Sequence, residues 1–203
     1  MANRIFLILA IAVLLLSATA AAWILYDRAT RDVTLSGDGM VITAADMGGP
    51  LALTDENGAE VTEKKFAGQY ALLYFGYSFC PDVCPTGLQK ISAGLDKLGN
   101  DAGNVVPVFI SVDPERDTPD QLKQYTALFH DRMEGLTGTK EQIDAVTKKF
   151  RVYYALRNDE DPENYPVDHS SFTYLMSPDW ELVAVFSHQV TPEQIASALK
   201  KLL

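Results

Sequence analysis

From residue 70 to residue 79 the chain is apolar or aromatic at nearly every position, and the run breaks at Cys80-Pro81-Asp82-Val83-Cys84-Pro85. A continuous apolar run without alternation predicts a strand buried on both faces. Behind it, Leu88, Ile91, Leu95 and Leu98 recur at helical spacing, which predicts a helix over 85–98 with one face in the core. Residues 105–112 repeat the strand pattern. Thr118 and Pro119 then provide a cap and a proline at the first helical position, and Leu122, Tyr125, Leu128 and Phe129 form the stripe of the helix that follows. Strand, helix, strand, helix predicts a parallel core.

The flanking segments complete the pattern. Residues 51–58 read as a strand entering a turn at Gly58, and residues 140–150 as a helix on the spacing of Ile143, Val146 and Phe150. Residues 152–156 are strand-like, and 172–176 with 182–186 predict a hairpin across Ser177-Pro178-Asp179-Trp180. Thr191 and Pro192 open a last helix running to 203. Residues 158–166, acidic and with two prolines, predict a solvent-exposed loop. This order places a β-α-β unit before a hairpin and a closing helix, with paired cysteines at the first strand-to-helix junction. It is the α/β layout of a thioredoxin-like fold with an inserted helix.

Ahead of that domain, residues 5–26 carry no charge and meet the roughly 20-residue length of a membrane-spanning helix. The expected organisation is a tail at 1–4, an N-terminal transmembrane helix at 5–26, a small, polar, glycine-containing linker at 27–47, and the domain at 48–203. Trp23, Ile24, Leu25 and Tyr26 extend the apolar run and suit a membrane interface. The alternative is a cleaved signal peptide, with Arg4 as its basic region and cleavage after Ala20 or Ala22. Arg4 on one side and Arg28 and Arg31 on the other leave the orientation open. Both alternatives export the domain to a compartment where a cysteine pair can be oxidised. A formal net charge of −10 argues against nucleic acid as a partner.

Cys80 and Cys84 are the chain's only cysteines. Where a buried strand turns into a helix, the positive end of the helix dipole favours thiolate, fitting the pair for redox exchange or soft-metal binding. Zinc normally takes three or four protein ligands, whereas Cu(I), which thiolates select, suits a smaller set. In the predicted layout the segment around His169 packs beside the cysteine turn, making His169 either a third ligand or a surface loop histidine. His130 and His188 read as surface residues. An inert disulfide is a further alternative, although so short a loop would stabilise little. Asp113, at the end of a predicted parallel strand, either faces the cysteine turn or joins Glu115, Arg116 and Asp117 in fixing the loop and capping the next helix. Asp82 reads either as a charge that favours a bound cation or as a solvated turn residue. The five methionines do not cluster.

Four motifs together resemble the Sco/SenC family of membrane-tethered, thioredoxin-like, copper-handling proteins: YFGYSFCPDVCP from Tyr74, SVDPERDTP from Ser111, GLTGT from Gly135 with FRVYYA from Phe150, and VDHSSFTYL from Val167. The resemblance implies one copper per chain, as Cu(I), Cu(II) or both, held by Cys80, Cys84 and His169. It also implies a metallochaperone that assists assembly of the binuclear copper site of cytochrome c oxidase, as copper donor, as reductant of the receiving cysteines, or both. The implied partners are the oxidase copper-site subunit and, beyond it, other copper chaperones or thioredoxin-like reductants. The implied location is the inner membrane, single-pass, with the domain on the periplasmic or equivalent side. Leu51, Phe79 and Trp180 depart from residues common at those positions, and none is an implied ligand. Two rivals remain on the residues themselves. A thiol–disulfide oxidoreductase would normally show CxxC and a proline immediately before the 172–176 strand, and a peroxidase would use a strand-to-helix cysteine alone.

Overall fold

A run of seven consecutive residues, all buried, forms β4 (Val105–Ser111), and the sheet is built around it. The computed structural model describes residues 6, 17–22, 47–157, 161 and 164–203. The chain divides into two units, Met1–Thr34 and Leu35–Leu203. In the first, Phe6 and residues 17–22 are helical and exposed. The remainder of the 5–26 segment and all of the expected linker except Met47 lie outside the described residues. Among the described residues no helix is long and apolar enough to cross a membrane.

In the second unit, β3 (Tyr70–Gly76) runs parallel to β4, and β4 runs parallel to β5 (Glu134–Thr137). On the other side of β3 lie β8 (Thr173–Met176) and then β9 (Leu182–Phe186), both antiparallel to their neighbours. β1 (Ala52–Asp55) pairs with β5, and β2 (Glu60–Thr62) with β1, giving the order β2-β1-β5-β4-β3-β8-β9. A second, two-stranded sheet joins β6 (Tyr154–Leu156) to β7 (Val167–His169). The parallel centre flanked by antiparallel strands explains the two sequence textures. β3 and β4 are covered on both faces and read as unbroken apolar runs, as expected.

Among the described residues of this unit, four α-helices accompany these strands. α1 (Val83–Asp96) begins two residues earlier than its apolar spacing suggests, with Pro85 in its first turn. Proline is tolerated there because first-turn N–H groups have no intrahelical acceptor. α2 (Pro119–Thr126) is capped by Thr118, whose hydroxyl accepts from Gln121 N at 3.3 Å. It ends at Thr126, and of the expected stripe only Leu128 falls outside the packing, 77% exposed, while Phe129, in the turn beyond, packs against Tyr125 at 5.0 Å. α3 (Lys140–Phe150) and α4 (Pro192–Lys200) each open on a capping box, Thr139 with Gln142 and Thr191 with Gln194. α1 packs on α4 so closely that a Cβ at Gly94 would lie 3.0 Å from the Ile195 side chain.

The hairpin across 177–180 forms as expected. Trp180 takes a left-handed conformation (φ 63°), donates from its indole to Gly49 O at 2.9 Å and stacks on Phe66 at 5.4 Å. One expectation needs correction. The 158–166 loop is not wholly exposed: Tyr165 is 3% exposed, because its hydroxyl finds an acceptor in the interior.

Candidate metal centre

β3 ends at Gly76, and residues 77–82 turn the chain into α1. The turn is tied at several points. Cys80 N donates to Tyr77 O at 3.2 Å, and Tyr74 OH donates to Val83 O at 3.1 Å, pinning the start of α1 over the strand. Gly76 is required by space: a Cβ there would lie 2.6 Å from Cys84 Sγ. Both thiols are free, Cys84 fully buried and Cys80 8% exposed. Cys84 N donates to Cys80 Sγ at 3.4 Å, so the helix N-terminus faces the outer sulfur.

His169 arrives from the opposite direction. β7 carries it, and β7 is held by β6, with Tyr154 opposite His169 and Leu156 opposite Val167. Its Nε2 lies 3.2 Å from Cys84 Sγ, and its Nδ1 lies 3.0 Å from Ser170 O. A carbonyl only accepts, so in the neutral ring Nδ1 carries the proton and Nε2 presents its lone pair to the sulfurs. Metal-binding imidazoles are commonly oriented this way. The Tyr77 ring meets the His169 ring edge-on at 5.8 Å, closing one side.

Cys80 Sγ, Cys84 Sγ and His169 Nε2 all lie within 4.8 Å of one another. Donors on one ion at metal–ligand distances of about 2.0–2.3 Å sit within about 4.5 Å of each other. The three atoms therefore need only small shifts to share an ion, and the donor chemistry, two sulfurs and an imidazole, fits a soft or borderline metal. Among the described residues this is the one group of three or more such side chains close enough to do so. His130 accepts from Arg132 N at its own turn, and His188 lies against Lys90; neither joins the cluster. Asp168, next to His169, pairs with Arg157 at 2.5 Å.

The two thiols are electrostatically unequal. Cys80 is held far below the usual thiol range, chiefly by a hydrogen bond from the Cys84 thiol, with burial opposing and backbone N–H groups assisting. Cys84 is pushed up, first by burial and then by its hydrogen bond to Cys80 and the Cys80 charge. The helix terminus, on which the sequence argument rested, is thus secondary to the neighbouring sulfur.

Beneath the turn, Asp117 is fully buried and accepts from Ser78 N at 2.9 Å, Ser78 OH at 2.6 Å and Ser111 OH at 2.5 Å. Burial raises its pKa against these hydrogen bonds. Asp113 does not reach the sulfurs. It is buried against Arg116 and Tyr165, fixing the loop, while Thr118 rather than an acidic residue caps α2. Sequence reasoning missed Tyr77 and Gly76 as parts of the site. The signal for both was their place in the motif immediately ahead of Cys80.

The arrangement defines a thioredoxin-like α/β protein with a metal-spaced dithiol–histidine set at its first strand-to-helix turn. More particularly, the chain belongs to the SCO1/SenC family, whose model matches residues 40–203. Protein SenC of Rhodobacter capsulatus is 42% identical over 188 residues, 93% of this chain and 85% of that protein. The structure of Bradyrhizobium japonicum ScoI with copper bound aligns at a TM-score of 0.71 and 45% identity, covering 77% of this chain and 99% of that one. Arabidopsis thaliana ScoI with copper bound aligns at 0.71 and 43%, covering 76% and 96%.

Proposed function

We propose that this chain is a copper metallochaperone that carries one copper ion on Cys80, Cys84 and His169 and delivers it to the copper-site subunit of cytochrome c oxidase. The observation that carries the reading is the convergence of those three donor atoms within 4.8 Å, with the His169 ring held in the ligand-ready tautomer by Ser170 O. The copper-bound structures of ScoI from two organisms support copper as the cargo. Family membership supports the oxidase as its destination.

The division of labour follows from burial. Cys84, at 0% exposure, is the retained ligand, and Cys80, at 8%, is the one an incoming thiolate displaces first. Transfer is then stepwise ligand exchange, each partner sulfur replacing one of this chain's donors. Residues 5–26 act as a single-pass anchor, with the domain on the periplasmic or equivalent side.

A second reading is favoured by the unequal thiols. With Cys80 as thiolate and Cys84 as thiol, the pair is poised to reduce a disulfide on the receiving protein, Cys80 attacking and Cys84 resolving. The experiment that separates the two mixes reduced, Cu(I)-loaded protein anaerobically with the isolated copper-site domain of the oxidase subunit. Copper moving to the acceptor with both cysteines of this chain still reduced supports the chaperone. In a parallel arm, reduced metal-free protein is mixed with the same domain in its disulfide form, and a Cys80–Cys84 disulfide with two new acceptor thiols there supports the reductant.

A further inference from the structure

Beside the cysteine turn lies a cavity of about 270 Å³ lined by Tyr77, Phe79, Pro81, Arg116, Asn164, Tyr165 and Pro166. Its chemistry is concentrated in Arg116. The guanidinium carbon lies 3.6 Å from the Tyr165 ring centroid, 5.1 Å from Phe79 and 5.6 Å from Tyr77, so it is packed among three aromatic rings. Nε donates to Asp113 Oδ2 at 2.5 Å, yet the buried Nη2 has no partner among the described residues. A buried donor left unpaired costs about 1–3 kcal/mol, so a ligand that accepts from Nη2 recovers free energy on binding. Phe79, 53% exposed, adds apolar surface that the fold itself does not cover.

We propose that this cavity is a docking slot for an extended segment of the thiol-bearing partner: one apolar side chain seats among Phe79, Pro81 and Tyr165, and an adjacent main-chain carbonyl accepts from Arg116 Nη2. Three observations select that occupant. The volume is slightly below the roughly 300 Å³ at which small-molecule pockets begin, so it suits a side chain and a short stretch of backbone. The Arg116 charge is already offset by Asp113, itself fully buried, and the chain is formally −10, so a neutral carbonyl is favoured over a second carboxylate. The slot is also continuous with the site. Phe79 and Pro81 flank Cys80 in sequence, and Tyr77 lines the slot while its ring meets His169. A partner segment held there would bring a neighbouring thiol to Cys80.

The inference rests on the proposed function to the extent that the partner presents a thiol, and its test keeps the two apart. The probes are synthetic tetrapeptides, each with one cysteine carried as the mixed disulfide with 2-nitro-5-thiobenzoate. One has Phe two positions from the cysteine, one has Glu there, and one has only Gly. Hydroxyethyl disulfide serves as a probe too small to reach the slot. In each peptide reaction the Cys80 thiolate attacks the peptide sulfur, a Cys80–peptide disulfide forms, and the aryl thiolate leaves with the electron pair and is read by its absorbance.

With reduced full-length protein, the Phe peptide is expected to react about tenfold faster than the Gly peptide, the gain that partial burial of one large apolar side chain gives. Phe79→Ser should remove most of that advantage while leaving the hydroxyethyl disulfide rate unchanged. Arg116→Lys, which retains a charge beside Asp113 but loses the fork that reaches the main-chain carbonyl, should lower the rate of every peptide and leave the ratio of Phe to Gly rates in place. Because Arg116 variants can perturb the Asp113 loop, Phe79→Ser, at a half-exposed position, is the deciding variant. Equal rates for the Phe and Gly peptides, or a Phe preference that survives Phe79→Ser, overturn the slot while leaving the metal site untouched. A faster Glu peptide overturns the neutral occupant. Failure of all probes, hydroxyethyl disulfide included, would instead count against a reactive dithiol at Cys80.

Discussion

Asp117 accepts both the backbone N–H and the hydroxyl of Ser78, two residues ahead of Cys80, at 2.9 and 2.6 Å. A carboxylate on the loop after β4 thus holds the turn that follows β3, and the outer sulfur stands on that support. Asp117→Ala should lower unfolding free energy by about 2–3 kcal/mol, the range for hydrogen bonds to a charged group. It should also weaken copper binding without touching a ligand. Urea unfolding of the metal-free protein and copper titration of the same variant check both.

The Asp117 pKa is raised above 3.8 in the folded protein by burial. The native state therefore holds that proton more tightly than the unfolded chain. The contribution to stability is fully present below 3.8 and is lost as pH rises through the folded value. Asp117→Asn should remove this pH dependence. A stability profile between pH 3.5 and 7 that has the same slope in wild type and variant would contradict it.

Gly76 marks where steric demand sets the sequence. A Cβ there would lie 2.6 Å from Cys84 Sγ and 3.1 Å from the Phe109 ring, both fully buried, so neither can give way cheaply. Gly76→Ala should cost about 1–3 kcal/mol by overpacking and displace Cys84 relative to His169. Thermal unfolding together with the copper stoichiometry of the variant tests this.

The inequality of the thiols predicts ordered alkylation. In reduced, metal-free protein at pH 6, where an ordinary thiol of pKa about 8.5 is almost wholly protonated, iodoacetamide should modify Cys80 and spare Cys84. Removing the Cys84 hydrogen bond with Cys84→Ala should shift the onset of Cys80 alkylation to higher pH, since that bond is the largest cause of its lowered value. Peptide mapping by mass spectrometry reads the site. Equal modification of both cysteines, beginning only near pH 8, would be the opposite result.

Much of this was legible in the sequence, for physical reasons that differ by element. β3 and β4 announced themselves because strands covered on both faces have no polar side to interrupt the run. Cys80 and Cys84 did so because sulfur at a strand-to-helix turn has few uses. β5 and β7 were not legible: at four and three residues they are too short to show a period, and Glu134, Gly135 and Asp168 dilute them. The His169 ligand geometry depended on the pairing of β6 with β7, and its meeting with Cys84 spans 85 residues of sequence. Tyr165 was hidden in an acidic stretch, since its burial is made tolerable by Asp113, 52 residues away. Local pattern carries local structure; these long-range pairings carried the rest.

The most direct test is an anaerobic Cu(I) titration of the reduced protein against a competing chelator, with Cys80→Ser, Cys84→Ser and His169→Ala in parallel. The expected result is one copper per chain, with affinity lowered at least about tenfold in each variant, a loss of about 1.4 kcal/mol or more, and no change in fold by circular dichroism. Affinity for Cu(I) and Cu(II) that is unchanged in His169→Ala, or a wild-type protein that cannot compete for copper at all, would contradict the three-donor site.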